Sequence, residues 1–192
     1  MTDRNAESKE EQPGTEPADA AAKRKAAMKE LLSYLEIIGV TLVLFLFVLN
    51  SNKVPSESME PTIRTESLLI GFRLPYLLGD PVPKHGDIIV FRDPDSPRFL
   101  VKRTIGLPGD TVSFDGQGNV FLNGEKMEEP YLAEQNVTVS PVDTFTVPEG
   151  TVFVMGDNRL HSLDSRYKAT PFIPIHSIYS KGLFSFPAPF LF

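Results

Sequence analysis

The sequence predicts an all-β domain, a mainly antiparallel folded sheet or partial barrel, carried behind one N-terminal transmembrane helix. Two observations predict it. A 19-residue apolar run, LLSYLEIIGVTLVLFLFVL from Leu31 to Leu49, precedes a region of short Val-, Ile- and Phe-rich runs separated by Gly, Pro, Asp and Asn. That second pattern is the one strands and turns produce. No stretch after the apolar run keeps a helical apolar period for three turns, and many short strands in one small domain favour a folded antiparallel sheet over a parallel α/β fold.

Each element follows in order. Residues 1–22, MTDRNAESKEEQPGTEPADAAA, are polar and acidic without large apolar side chains, so they cannot offset their ordering entropy and are expected to form a disordered cytoplasmic tail. Lys23, Arg24, Lys25 and Lys29 then form a basic flank suited to anionic lipid. As a helix the apolar run would rise about 28 Å, close to the hydrocarbon thickness of a bilayer. Glu36 leaves 13 uninterrupted positions from Ile37, but it lies in the first third, within reach of the headgroups. The sequence LFVLNSNKV lacks the small residues that a signal-peptide cleavage site requires. Residues 23–50 are therefore expected to be a retained anchor. Positive charge on its N-terminal side puts that side in the cytoplasm. Residues 51–192 then form an extracytoplasmic domain, with the plasma membrane as the expected location and the lipid bilayer as a partner.

Composition removes several classes of function. A net charge of −6 argues against nucleic acid, whose phosphates need clustered Lys and Arg on one face. The absence of cysteine removes disulfides, thiolate nucleophiles and Cys-based zinc sites. Only His85, His161 and His176 are present, with no metal-ligand spacing among them, so neither a metal nor a cofactor is expected.

The exported region reads as LLIGF, DIIVF, RFLVKRTIG, DTVSFD, NVFLNG, DTFTV, TVFVMG and SIYSKGLFSF. DTVSFD-GQG-NVFLNG has the form of a hairpin, and Asn123-Gly124 marks a second tight turn. In the closing FSFPAPFLF, Phe184 and Phe186 are expected in the core and Phe190 and Phe192 against the membrane.

With cysteine absent, the candidate nucleophiles are Ser and Thr, which need a base. PSESMEPT, residues 55–62, taken alone reads as a linker between turns. GxSxG is missing; His161 lies three residues before Asp164, and its neighbours are polar. The SxxK string Ser165-Arg166-Tyr167-Lys168 is too loose a pattern to count. Lys102, by contrast, sits in RFLVKRTIG among Phe99, Leu100, Val101, Thr104 and Ile105. Strand alternation sends Lys102 and Arg103 to opposite faces, so one cation points toward the buried side. Burial penalises the ammonium and makes lysine a usable base, at a cost of roughly 3 kcal/mol for a pKa near 8.

Four blocks in order, PSESMEPT, GDIIVF (86–91), KRTIGLPGD (102–110) and GDNRLHSLDSR (156–166), give the chain a resemblance to the bacterial type I signal peptidases. These are membrane-anchored serine proteases that remove signal peptides from exported proteins. The resemblance runs over roughly Val54 to Phe186, and it implies that preprotein signal peptides are the substrate. It also implies that Ser58 is the nucleophile and Lys102 its general base, a Ser-Lys dyad without histidine. Ser56 and the Ser58 backbone N–H would form the oxyanion hole. Ser162 would hydrogen-bond and orient the lysine. Gly156 would keep its surroundings uncrowded, and Asp164 and Arg166 would form a structural ion pair to which Arg103 contributes. Cleavage after Ala-x-Ala would use shallow pockets lined by Val54, Pro55, Met59, Ile63, Leu100 and Val101, with the substrate extended along an exposed strand edge.

Two features depart from the family pattern. YKATPFIP follows Arg166, with Ala169 where a glycine is usual, and Glu57 and Glu60 flank the nucleophile; both carboxylates are expected to face solvent. Three rivals stay open on the sequence. A membrane-tethered binding domain would need no strand lysine opposite a serine. An inactive homologue would share the motifs without the activity. A self-cleaving Ser-Lys repressor would carry a helix-turn-helix, which residues 1–50 do not offer.

Overall fold

The computed structural model describes residues 18–133 and 137–187. The chain forms two units, Met1–Leu44 and Phe45–Phe192. Helix α1 spans Ala18–Val48. It starts earlier than composition suggests because ADAAAKRKAA is rich in alanine, the strongest helix former. Residues 1–17 of the expected tail lie outside the described residues. The helix is long and apolar enough to cross a membrane, with mean hydropathy 2.4 in its most apolar window. Ile37, Ile38, Val40, Leu42, Val43, Phe45, Leu46 and Phe47 are all exposed, an apolar surface on every side of the helix.

Beyond the helix the fold is mostly β, as expected. The strands are β1 (Leu49–Val54), β2 (Ser67–Phe72), β3 (Ile88–Arg92), β4 (Phe99–Gly106), β5 (Thr111–Phe114), β6 (Val120–Leu122), β7 (Glu125–Lys126), β8 (Thr144–Thr146), β9 (Thr151–Met155), β10 (Phe172–Pro174) and β11 (Ile178–Pro187). A short helix α2, Leu74–Leu78, follows β2. Seven strands form one sheet in the order β1-β2-β11-β3-β4-β9-β10, and four form a second in the order β7-β6-β5-β8. All the ladders are antiparallel. The expected hairpin pairs Phe114 with Val120. Asn123 and Gly124 turn β6 into β7 with φ of 53° and 86°, the two positive values that a two-residue hairpin turn requires.

Strand β3 shows how the larger sheet is covered on both faces. Ile89 and Phe91 pack with Val152, Val154, Ile173, Ile175 and Ile178, while Val90 packs with Val54, Met59, Ile63 and Leu69. A third cluster joins the two sheets, with Ile105, Phe153 and Met155 from one and Val112, Val120 and Val147 bordering the other. Full burial of each such side chain stabilises the fold by about 1.5–3 kcal/mol.

Phe184 and Phe186 are not core residues. They are 57% and 43% exposed and stack with ring centroids 6.4 Å apart. A bulge explains the outcome. Gly182 pairs with Gly71, but Phe184 then pairs with Ile70, so one extra residue moves every later side chain to the other face. Ser185 pairs with buried Leu69, and Phe184 and Phe186 point away from that face. Phe190 and Phe192 lie outside the described residues.

Candidate active site

Ser58 sits in a single 3-10 turn, Glu57–Met59, just after the edge strand β1. Met59 anchors the turn through its fully buried side chain. Backbone bonds fix it: the Glu60 N–H donates to the Glu57 carbonyl at 3.0 Å, and the Ile63 N–H to the Met59 carbonyl at 2.9 Å. From the segment after β9, the Asn158 N–H donates to the Ser58 carbonyl at 3.0 Å and Asn158 Nδ2 to the Glu57 carbonyl at 3.2 Å. The side chain of Ser58 is left to choose its partner.

That partner is Lys102. Strand β4 sends it inward, 3% exposed, and its Nζ lies 2.6 Å from Ser58 Oγ. Burial drives the lysine down from its ordinary 10.5 to about 8, with Asp164 opposing, Lys168 assisting, Asp157 opposing and Arg166 assisting. A neutral amine at that distance accepts the serine proton. Ser56 Oγ lies 3.3 Å from Ser58 Oγ, and either hydroxyl can donate.

His161 does not compete for this serine. Its side chain is 60% exposed and its Nδ1 stands 3.5 Å from a Glu57 carboxylate oxygen. Glu57 is therefore on the solvent side, as expected, and Glu60 accepts from the Thr65 N–H and hydroxyl at 2.9 and 2.7 Å. In the SxxK string, Ser165 Oγ accepts the Val154 N–H at 3.0 Å and Lys168 pairs with Asp93, so those two residues form no dyad.

Behind the pair lies a buried charge network. Asp164 accepts from Arg166 Nε and Nη2 at 2.9 Å each and from the Gly156 N–H at 2.9 Å. Arg166 also donates to the carbonyls of Val139 and Arg159, both at 2.9 Å. Arg103 is not part of that ion pair. It forks onto Asp157 at 2.8 and 2.6 Å, donates to the Gly86 carbonyl at 2.8 Å, and lies 3.9 Å over the Tyr131 ring. The reason is strand alternation, which turns Arg103 away from its neighbour Lys102.

At Gly156 a Cβ would stand 2.3 Å from Ser162 Oγ and 2.4 Å from the Ser58 carbonyl oxygen. The glycine makes room for the Ser58 backbone and for Ser162. Ser162 Oγ is buried without a hydrogen-bond partner among the described residues, so the expected bond to Lys102 is not formed.

Of the pocket candidates, Val54, Met59, Ile63 and Val101 come together, joined by Leu69, Val90 and Ile88, which sequence reasoning did not single out. Leu100 packs instead against the Ile89 and Phe91 cluster, because it alternates with Val101. Pro55 is exposed beside Ser56. Sequence reasoning also missed Asp157, Asn158 and Arg159, although all three stand in the quoted GDNRLHSLDSR block. Arg159 donates to the Gly156 carbonyl at 3.0 Å, to Thr138 Oγ1 and to both oxygens of Glu129. A cleft of about 640 Å³ borders the Glu57–Met59 turn, lined in part by Glu60, Arg64, Asn158 and His161.

Residues 27–186 match the signal peptidase, peptidase S26, family. Signal peptidase I of Leptolyngbya laminosa is 34% identical, covering 95% of this chain and 92% of that protein. Signal peptidase I U of Bacillus subtilis is 38% identical over 75% of this chain and 79% of its own. Signal peptidase I of Pseudomonas aeruginosa is 33% identical over 74% of this chain, which spans 63% of that relative's length. A solved signal peptidase I from Enterococcus faecalis is 37% identical and covers 52% of this chain and 95% of its own, with a TM-score of 0.44. Because the family match runs from the apolar helix to the last strand and takes in Ser58, Lys102 and the 156–166 segment alike, this chain belongs to the signal peptidase family of enzymes, peptidase S26.

Proposed function

We propose that the chain is a serine endopeptidase that removes N-terminal signal peptides from exported preproteins, cutting after small residues in the Ala-x-Ala pattern. The observation that carries this reading is the 2.6 Å approach of a buried, weakly basic Lys102 Nζ to Ser58 Oγ. Lys102 takes the hydroxyl proton as Ser58 Oγ attacks the scissile carbonyl. The resulting ammonium protonates the leaving amine, which departs as the new N-terminus. The neutral amine then takes a proton from water, and the hydroxide hydrolyses the acyl ester. Ser56 Oγ and the Ser58 N–H stabilise the oxyanion in both halves of the reaction. Ser162 Oγ, buried and unpartnered, offers Lys102 an acceptor once Ser58 is acylated. Gly156, Asp164, Arg166 and Arg103 serve as support.

Substrate recognition follows from strand edges. β1 lies at one edge of the larger sheet. β9 is registered only with Arg103, Thr104 and Gly106 of β4, so residues 99–102 offer backbone groups to an added strand. The buried side chains of Val54, Met59 and Ile63, with half-buried Val101, would form an apolar floor that admits a methyl and rejects larger groups by clash. Positive charge on the N-terminal side of the apolar span supports a cytoplasmic N-terminus and a domain on the outer side of the plasma membrane. Exposed Phe184 and Phe186 fit contact with the lipid surface.

The test is cleavage of a detergent-solubilised preprotein with an Ala-x-Ala junction, across pH 6 to 10. Ser58→Ala and Lys102→Met should each lose on the order of 10⁴-fold or more in rate. Wild-type kcat/KM should rise through a limb near pH 8. Cleavage retained by Lys102→Met would sink the dyad and return attention to His161. Equal inertness of all three folded proteins would favour a tethered binding domain.

A further inference from the structure

Directly after Arg166 the chain carries a second buried lysine. Lys168 has a side chain only 5% exposed, against the Asp93 carboxylate, itself 9% exposed. Asp95 Oδ2 stands 3.8 Å away as a weaker second partner. Hiding both charges contributes little net stability, because desolvation offsets most of the attraction. What the pair does is join two places that matter for catalysis. The Lys168 backbone N–H donates to the Asp164 carbonyl at 3.2 Å, beside the Tyr167 N–H at 3.0 Å, so the lysine is fixed to the segment that holds Gly156 and Arg166. Asp93 lies in the turn between β3 and β4, where its N–H donates to the Arg98 carbonyl at 2.9 Å and its side chain accepts the Asp95 N–H at 3.2 Å. That turn leads straight into β4 and Lys102.

We propose that Lys168 is a positioning residue: its ion pair with Asp93 clamps the segment carrying Asp164 to the turn that launches β4, the strand that carries the general base. This rests on Lys102 being that base. The charged groups that act on Lys102 are Asp164, Arg166 and Lys168 from the 164–168 segment and Asp157 from the end of β9. Arg103, its neighbour on β4, is engaged by Asp157. The hydroxyl of Ser58 faces it from the nucleophile turn. Asp164 is saturated by Arg166 and the Gly156 N–H. Lys168 is thus a cation whose partner lies on a different element, and removing either member of the pair changes the charge near Lys102 in opposite senses.

The signs can be worked out. Removing Lys168 removes a repulsion on the Lys102 ammonium, so its proton is held to higher pH. Removing the Asp93 charge leaves the Lys168 cation less neutralised, with Asp95 still at hand to keep it protonated, so the Lys102 proton is released at lower pH. The experiment is the pH dependence of kcat/KM for preprotein cleavage by the full chain in detergent. Wild type is compared with Lys168→Met, Asp93→Asn and Lys168→Arg, and Lys102→Met serves as control. Lys168→Met should move the acid limb up by roughly half a pH unit, a threefold loss at pH 7, and Asp93→Asn should move it down. Lys168→Arg should keep the limb where wild type has it. A merely structural pair would give both charge-removing variants the same sign, and that result, or no shift in either, overturns the proposal while Lys102→Met is inactive. Should Lys168→Met fail to fold, the downward shift of Asp93→Asn against an unmoved Lys168→Arg decides the matter. Cleavage retained by Lys102→Met would instead remove the base itself, and the proposal with it.

Discussion

Lys102 on β4 and Arg166 in the segment after β9 are withdrawn from water to the same extent, 3% and 2% exposed, yet they are provided for differently. Arg166 forks onto Asp164 and donates to two carbonyls, so its desolvated charge is met on every side. Among the described residues Lys102 has one hydrogen-bond partner, the hydroxyl of Ser58. Both sit within the field of Asp164, but that carboxylate is bound to the arginine. The difference teaches what burial does to a cation whose nearby carboxylate is committed elsewhere: Lys102 loses hydration without gaining a dedicated counterion, and its pKa falls.

Breaking the arginine side of this comparison should have the largest effect. Asp164→Asn leaves the Arg166 guanidinium buried beside a neutral amide and weakens the acceptor of the Gly156 N–H. A loss of about 3–5 kcal/mol in unfolding free energy is expected, read from the denaturant midpoint at unchanged slope. A loss below 1 kcal/mol would mean that the pair contributes nothing to the scaffold.

On the lysine side the sign reverses. Between pH 8 and 10.5 the unfolded chain holds the Lys102 proton and the folded chain does not, so this group makes stability rise with pH over that window. Lys102→Met has no such dependence. Its stability relative to wild type should therefore be greater at pH 7 than above pH 10 by about 3 kcal/mol. A pH-independent difference between the two proteins would contradict a displaced lysine.

A smaller loss is expected at Gly156, which lies between the two regions. The added methyl of Gly156→Ala would overlap the Ser58 carbonyl oxygen and Ser162 Oγ. Displacing backbone and side chain to fit it costs about 1–3 kcal/mol. Because one of the displaced atoms belongs to the turn that carries Ser58, cleavage should fall more steeply than stability. An active Gly156→Ala enzyme would show that the turn tolerates movement.

These contrasts also show what the sequence could and could not reveal. Lys102 was legible because a lysine in an apolar strand breaks a local rule, and broken local rules concentrate at functional sites. The Asn123-Gly124 turn was legible because only a few residue types adopt its backbone. β1 was not foreseen: LNSNKV is rich in asparagine, a poor strand former, and it takes its place as an edge strand through pairing with β2. The outward turn of Phe184 and Phe186 was hidden because nothing in FSFPAPFLF announces a one-residue bulge. Arg103 was assigned to the wrong carboxylate because its partner lies 54 residues along the chain, a distance over which sequence pattern says nothing about contact. Leu100 was different, since strand alternation already separates it from Val101, and the signal was there to use.

The smallest effect on stability, and the sharpest test of function, belongs to Ser162. A buried hydroxyl without a partner contributes nothing to the fold and carries an unmet desolvation cost, so Ser162→Ala should be neutral to within about 0.5 kcal/mol or slightly stabilising. If the hydroxyl waits for Lys102 at the acyl-enzyme stage, the same change should still lower kcat by roughly tenfold. The loss should appear in deacylation, as a larger burst of released product ahead of a slower steady state. Unchanged kcat with unchanged stability would leave Ser162 as turn material. A loss confined to acylation would place its action before the ester forms, with Lys102 already turned toward it in the free enzyme.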